Sequence, residues 1–369
     1  MSGYLVTGAT GMVGGALTLE LLQSTDAPLH LLVRGGDTAA EDRCLFALQE
    51  AAESYGLERD FVSRQRGRLH IVVGDLTSSA VIERLPDRDI GEVWHCAASL
   101  KFDDRSRDEI FAVNVDGTAR LLDLSEKVGA TRFNYISTAY VAGSTVGRID
   151  ESAVPPDACA NNQYELSKIA AEHLVSSCDS ISTCIWRPSI VVGHSTTLAT
   201  TSFTGLYGLV RDAFRFKRRT QKVFGPGFVP RQTRVLADPT AEANLIPVDL
   251  LVRQAVSLST LPGFEADIVH LTNGAAPSLR DVLSVTAEAT GVREPEYVTS
   301  ADSLTALDRR LRKAMQFYAP QGGGTKFFAQ DVAEQYGSPL RFPMDVDYLR
   351  ALIGWYIGHA GLADRSRAA

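Results

Sequence analysis

Tyr164 and Lys168, four positions apart, are residues whose types and spacing could do chemistry. On a helix such positions share one face, so the phenol and the ammonium would lie close together. A free tyrosine has a pKa of about 10, and a nearby ammonium lowers that pKa by favouring the phenolate. Tyr164 is therefore predicted to act as an acid or a base near neutral pH.

Because this spacing arises often by chance, its position in the chain decides its meaning. A loop rich in turn formers precedes Tyr164, and apolar residues continue at helical spacing after Lys168. Thr138 adds a hydroxyl at the carboxyl end of a predicted fifth strand over residues 133–136. The three side chains together predict a catalytic site.

A glycine-rich turn near the N-terminus joins a short apolar strand to a helix expected over residues 12–22. Gly8 permits a tight turn, Gly11 allows close approach of a pyrophosphate, and Gly14 lets the helix pack against its strand. The helix N-terminus then offers free N–H groups to phosphates. The predicted cofactor-binding residues of this turn are Gly8, Thr10, Gly11, Met12 and Val13.

Arg34 follows the predicted second strand, residues 29–33, where a dinucleotide-binding fold meets the adenosine ribose. An arginine there binds a 2'-phosphate and predicts NADPH, whereas a carboxylate would favour NADH. Asp37 therefore keeps NADH as the alternative. Arg43 is expected either to make a second phosphate contact or to lie on a solvated helix start.

Further cofactor contacts are expected where other predicted strands end, at the carboxyl edge of a parallel sheet. After residues 69–73, Asp75 and Leu76 are placed beside the adenine, and after residues 93–96, Ala97 and Ala98 lie under the phosphate and ribose. Pro188 and Ser189, in a sixth strand expected over residues 184–192, are placed along the nicotinamide. Core packing is the expectation for His95 and Cys96.

Alternating strands and helices predict an α/β fold, a Rossmann-type doubly wound parallel sheet with a smaller, mostly helical C-terminal lobe. Residues 1–195 and roughly 245–275 are assigned to the dinucleotide-binding domain, and roughly 196–244 and 276–369 to the substrate-binding lobe. Asp249 is expected to cap a helix, residues 268–271 to form a strand, and residues 196–238 to be less regular. Helices are expected over residues 108–127, 278–290, 304–317 and 347–357, with a flexible break at 322–324.

The chain of 369 residues has a formal net charge of −7, which argues against a general nucleic-acid binder. Five cysteines without CxxC spacing indicate neither a zinc site nor a disulfide framework, and no metal site is expected. The odd count suits a reducing cytoplasm, and the sequence shows no signal peptide or membrane span.

Four basic residues recur at helical spacing and form a basic stripe: Arg211, Arg215, Arg218 and Lys222. Such a stripe is either a solvated helix face or a docking surface for phosphates or an acidic protein.

Taken together, the glycine turn, Thr138, Tyr164 with Lys168, and the strand ends resemble an extended short-chain dehydrogenase/reductase over roughly residues 3–275. The runs 95–102, 137–141 and 187–193 are similar to fatty acyl-CoA reductases and to the thioester reductase domains of peptide and polyketide synthases. In that superfamily an asparagine at the position of Asn114 helps to hold a water and the active-site lysine; otherwise Asn114 is a tolerated polar helix residue. Many relatives dimerise, so a homodimer is expected.

The resemblance implies NADPH-dependent reduction of an acyl thioester, on CoA or on an acyl or peptidyl carrier protein, to an aldehyde, with further reduction to an alcohol left open. The alternatives are an NAD(P)-dependent carbonyl or alcohol oxidoreductase, a nucleotide-sugar epimerase or dehydratase, and a non-catalytic NADPH sensor. The sensor class tends to lack the tyrosine and lysine.

Overall fold

A computed structural model of the chain describes residues 2–35, 38–78, 89–225, 229, 231–306, 308–309 and 325–362. Expectations that concern Gly36, Asp37, most of the helix over 304–317 and the break at 322–324 lie outside these residues.

The strands alternate with helices along most of the chain. The strands are β1 (Gly3–Thr7), β2 (Leu29–Val33), β3 (Leu69–Val73), β4 (Ile90–His95), β5 (Arg132–Ile136), β6 (Gly147–Ile149), β7 (Ser182–Pro188), β8 (Ile190–Val192), β9 (Arg234–Leu236), β10 (Leu245–Pro247), β11 (Ile268–Leu271), β12 (Glu296–Val298) and β13 (Lys326–Phe328). The helices are α1 (Met12–Ser24), α2 (Thr38–Ser54), α3 (Phe61–Arg64), α4 (Arg107–Phe111), α5 (Gly117–Lys127), α6 (Gln163–Ser176), α7 (Leu206–Phe224), α8 (Val248–Ser259), α9 (Leu279–Thr290), α10 (Asp331–Gln335) and α11 (Val346–His359).

A seven-stranded sheet with the order β3-β2-β1-β4-β5-β7-β11 forms the centre of the molecule, and all its pairings are parallel. Every residue of β2 is buried, as expected for a parallel strand covered on both faces. The strand order reverses between β1 and β4, where ligands bind in doubly wound sheets. The α/β fold predicted from the sequence is therefore confirmed.

Helices cover both faces of the sheet. On one face α1, α2 and α8 pack with the stacked rings of Trp94 and Trp186. On the other face α5 and α6 pack through Leu121, Leu124 and Val175. A further apolar cluster joins α7, α9 and α11.

The helix expected over residues 108–127 is present with one irregularity. A π-helical segment, Ala112–Asp116, separates α4 from α5, and it contains Asn114. Such segments occur often at functional sites.

Two expectations for the region after α6 are wrong. The expected sixth strand over 184–192 is two strands, because the chain changes partners at Ser189: its N–H donates to Leu271 O at 3.0 Å, whereas Ile190 N donates to Asn244 O at 3.2 Å. Thus β8 pairs with β10 outside the main sheet. The region 196–238, expected to be less regular, contains the 19-residue helix α7.

Asp249 does not cap α8, contrary to expectation. Pro247 occupies the N-cap, and Asp249 lies inside the first turn. Its carboxylate instead accepts hydrogen bonds from Ser195 N and Ser195 Oγ, each at 2.7 Å. The carboxylate therefore ties the loop after β8 to α8.

Among the described residues, no helix is long and apolar enough to cross a membrane. Within the same residues, no group of three or more His, Cys, Asp or Glu side chains could hold a metal ion. All five cysteines are free thiols.

Candidate active site

A cleft of about 540 Å³ crosses the carboxyl edge of the sheet, from Arg34 at one end to Gly205 at the other. Its walls bring together most of the residues singled out from the sequence. The predicted residues that line it are Gly8, Thr10, Gly11, Met12, Val13, Arg34, Asp75, Leu76, Ala97, Ala98, Thr138, Tyr164, Lys168, Pro188 and Ser189. Arg43 and Asn114 do not line it.

The glycine turn forms the floor of the cleft. Gly8 has a positive φ of 74°, and a Cβ at this position would lie 2.8 Å from Ala97 N. Gly11 N donates to Gly8 O at 2.8 Å, and a Cβ on Gly14 would overlap that same oxygen. Gly11 is the N-cap of α1 and has no side chain to bond the first N–H groups. These N–H groups fit the pyrophosphate of a dinucleotide.

Two arginines lie together at the end of β2. Arg34 is exposed in the cleft wall, and Arg43 Nη2 donates to Arg34 O at 2.6 Å. Because α2 begins at Thr38, Arg43 lies in its second turn and does not open the helix, contrary to the expectation from the sequence. Nearby, Asp75 Oδ1 accepts from Thr77 N and Thr77 Oγ1, each at 2.8 Å.

A buried hydrogen-bond chain supports the end of β4. Ala97 N donates to Thr7 Oγ1 at 3.1 Å, and that hydroxyl lies 2.7 Å from His95 Nδ1. Burial lowers the pKa of His95 to about 3, so its ring is neutral, and burial raises the pKa of the Cys96 thiol to about 12. Both side chains therefore act in packing and are inert at neutral pH.

Tyr164 and Lys168 lie at the start of α6, whose N-cap Asn162 accepts from Glu165 N at 2.9 Å. Lys168 Nζ donates to Ile136 O at 2.8 Å and to the Tyr135 hydroxyl at 3.2 Å. The ammonium lies 6.0 Å from the centroid of the Tyr164 ring. Because an ammonium has three donors, one N–H remains for the cleft.

The pKa of Tyr164 departs from expectation. The sequence predicted that the ammonium would lower it, but burial raises the pKa above the usual value, with a smaller contribution from Glu165. Burial also lowers the pKa of Lys168 to about 8. At neutral pH the phenol is therefore protonated and the amine is mostly charged, so Tyr164 is prepared to donate a proton.

Thr138 lies two residues beyond β5 and is the N-cap of a short 3₁₀ turn. Its Oγ1 accepts from Tyr140 N at 3.2 Å, and this contact does not use the hydroxyl hydrogen. Thr138 and Tyr164 line the same cleft, and each presents a hydroxyl that can donate a hydrogen bond.

Asn114 is buried, and its side-chain hydrogen bonds join it to Ser99 and Ser167. Its side chain accepts from Ser99 N at 2.7 Å and donates to Ser99 O at 3.1 Å and Ser167 Oγ at 2.9 Å. Ser167 Oγ in turn donates to Tyr164 O at 2.7 Å. Asn114 therefore joins the strand end after β4 to the helix that carries Tyr164.

Several cleft residues were missed by the sequence reasoning. Thr201, Ser202, Thr204 and Gly205 form the wall beside β8, and Phe102 packs edge-on against Tyr164 at 5.7 Å between ring centroids. No local spacing marks these positions, although the concentration of Thr and Ser over 195–204 was a visible signal.

A Rossmann sheet with a glycine turn and a Tyr–Lys pair in one cleft defines an extended short-chain dehydrogenase/reductase. Comparison with known proteins then places the chain more closely. It belongs to the NAD-binding male sterility protein family, whose profile matches residues 6–255. The resemblance drawn from the sequence is thereby confirmed, and a nicotinamide dinucleotide is the cofactor class.

The chain is 28% identical over 298 residues to fatty acyl-CoA reductase 1 of Xenopus laevis, covering 70% of this chain and 54% of that protein. It is 25% identical over 293 residues to a linear gramicidin synthase of Brevibacillus parabrevis, covering 76% of this chain and 5% of that protein. It therefore spans about half the length of the first relative and a small part of the second. The terminal R domain from the myxalamid PKS-NRPS biosynthetic pathway shares the fold, with a TM-score of 0.73, 22% identity, and coverage of 99% of this chain and 92% of that one.

Proposed function

We propose that this chain is an NADPH-dependent reductase of acyl thioesters, which it converts to aldehydes or, with a second hydride, to alcohols. The acyl group is carried on CoA or on the phosphopantetheine arm of an acyl or peptidyl carrier protein. The observation that carries the proposal is that Thr138, Tyr164 and Lys168 line one cleft with the glycine turn. The names of the relatives, a fatty acyl-CoA reductase and a gramicidin synthase, support this substrate class.

The chemistry follows from these side chains. A reduced nicotinamide, when bound, supplies the hydride that adds to the thioester carbonyl. Thr138 and Tyr164 donate hydrogen bonds to the carbonyl oxygen as negative charge develops, and the Tyr164 proton then passes to it. The resulting hemithioacetal loses its C–S bond, the sulfur leaves as a thiol, and an aldehyde remains. One hydride and one proton are added for each thiol released.

Lys168 is proposed to position the nicotinamide ribose and to stabilise charge on Tyr164 during this step. Two of its N–H groups are bonded to Ile136 O and the Tyr135 hydroxyl, and the third is assigned to the ribose of the nicotinamide. Its charge stabilises the phenolate that Tyr164 becomes after giving up its proton.

NADPH is proposed over NADH because of the two arginines at the end of β2. Arg34 is exposed at the cleft, and Arg43 donates to its carbonyl, which supports the assignment of both guanidinium groups to a 2'-phosphate. The other cofactor contacts are assigned by region. The pyrophosphate is assigned to Gly8, Thr10, Gly11, Met12 and Val13, and the adenosine to Asp75 and Leu76. The remainder of the cofactor is assigned to Ala97, Ala98, Pro188 and Ser189.

Roughly residues 196–244 and 276–369 are proposed to form the substrate-binding lobe, and residues 1–195 with roughly 245–275 the dinucleotide-binding domain. A homodimer through the helices near Asn114 and Tyr164 is also proposed, since Leu166 and Leu174 are exposed on α6. The free cysteines suit the reducing cytoplasm as the compartment.

The test follows NADPH consumption and free thiol together, with a panel of acyl-CoA and acyl-carrier thioesters. Thiol released in step with NADPH loss is the expected result, with one NADPH per thiol for an aldehyde product and two for an alcohol. NADPH loss with ketones or aldehydes but without thiol release would overturn the proposal in favour of a carbonyl reductase. Tightly bound NAD in the purified protein would favour an epimerase.

A further inference from the structure

Tyr135, on β5, contacts Lys168 in two ways. Its hydroxyl oxygen accepts from Lys168 Nζ at 3.2 Å, and the ammonium lies 4.6 Å from the centroid of its ring. The side chains are 1% and 2% exposed, so solvent does not compete with these contacts. The phenol therefore supplies both a hydrogen-bond acceptor and a π face to a buried cation.

We propose that Tyr135 is a positioning residue for Lys168, fixing the ammonium and stabilising its charge through its hydroxyl oxygen and the face of its ring. The effect of Tyr135 on thioester reduction rests on the proposed function. Its effect on the charge of the Lys168 amine does not.

The other titratable groups around the ammonium do not replace this acceptor. His95 is neutral, the Cys96 thiol is protonated, and burial keeps the Tyr164 phenol protonated. Glu172, one turn along α6, favours the charged lysine, but its carboxylate is already bonded by Arg187. The neutral Tyr135 oxygen is therefore the side-chain acceptor that contacts the ammonium directly among the described residues.

The variant Tyr135→Phe keeps the ring and removes the oxygen. Because the lost acceptor stabilised the charged amine, the pKa of Lys168 should fall further below about 8. Activity that needs the ammonium disappears as the pH rises through this pKa, so the alkaline limb of kcat/KM should move down by about one pH unit. We expect kcat at pH 8 to fall about fivefold, with the KM for the thioester unchanged.

A control variant separates this role from general destabilisation. Tyr297→Phe is the matched control, because its hydroxyl has no hydrogen-bond partner among the described residues and it does not line the cleft. Its pH profile should match that of the unmodified protein.

A second measurement needs no turnover. Competitive acetylation with acetic anhydride across pH, read by mass spectrometry of the peptide containing Lys168, reports the pKa of that amine. The same downward shift in Tyr135→Phe supports the inference, and coincident titrations of Lys168 in both proteins would overturn it. A shifted titration in a protein that reduces no thioester would overturn only the proposed function.

Discussion

Arg187 and Glu172 form a bidentate ion pair inside the protein, with Nε donating to Oε1 at 3.0 Å and Nη2 to Oε2 at 2.7 Å. Their side chains are 1% and 5% exposed. The third arm of the guanidinium, Nη1, donates to Ser152 O at 3.0 Å. Because Glu172 lies one helical turn after Lys168, the pair joins β7 to the helix of the candidate active site.

Removing the cation from this pair should be costly. Arg187→Met leaves a buried carboxylate without its partner, so the free energy of unfolding should fall by about 3–5 kcal/mol. Urea denaturation measures the change. Arg350→Met is the control, since Arg350 bonds Glu288 and Asp347 at the exposed surface, where the expected loss is at most about 1 kcal/mol. Equal losses in the two variants would contradict the structural role of the buried pair.

Tyr164→Phe should remove the proton donor while leaving the cofactor contacts of the glycine turn intact. We expect kcat for thioester reduction to fall at least about 10²–10³-fold, with the NADPH dissociation constant nearly unchanged. Single-turnover kinetics and titration of NADPH fluorescence measure the two quantities. Full activity in Tyr164→Phe would remove Tyr164 from the mechanism.

Arg34→Ala and Arg43→Ala should each weaken NADPH binding about 10–100-fold and leave NADH binding almost unchanged, because both guanidinium groups are assigned to the 2'-phosphate. The ratio of kcat/KM for the two cofactors measures this preference. Arg59→Ala is the control, since Arg59 lies after α2, is exposed, and pairs with Glu53 of that helix. An equal loss for NADPH and NADH would place the two arginines elsewhere in the cofactor site.

The basic stripe lies on α7, which begins beside the cleft at Gly205. Arg211 and Arg215 lie 3.9 and 3.2 Å from Asp212, and Arg218 donates to Leu362 O at 3.4 Å. If the stripe contacts an acidic carrier protein, Arg215→Glu with Arg218→Glu should raise the KM for a carrier-bound thioester at least about tenfold.

The same substrate presented as a free pantetheine thioester is the control for the stripe, since it lacks the protein surface. Its KM should stay unchanged in the double variant. An unchanged KM for the carrier-bound form as well would show that the stripe is a solvated helix face.

Local patterns in the sequence determined much of this protein. Apolar runs marked β1, β2 and β3, and the glycine spacing marked the turn into α1, because strand burial and backbone conformation depend on neighbouring residues. The four-residue spacing of Tyr164 and Lys168 likewise placed both on one helix turn. The order of these elements was enough to predict the α/β fold.

Only the tertiary structure decided the environment of the candidate site. Tyr135 lies 33 positions before Lys168, and Asn114 lies 53 before Ser167, so no periodicity links either pair. The pKa of Tyr164 rises because burial disfavours the phenolate, and the strand after β7 changes partners at Ser189 because Asn244 and Leu271 meet it there. Hydrogen-bond partners and burial are properties of neighbours in space, which a local sequence pattern does not encode.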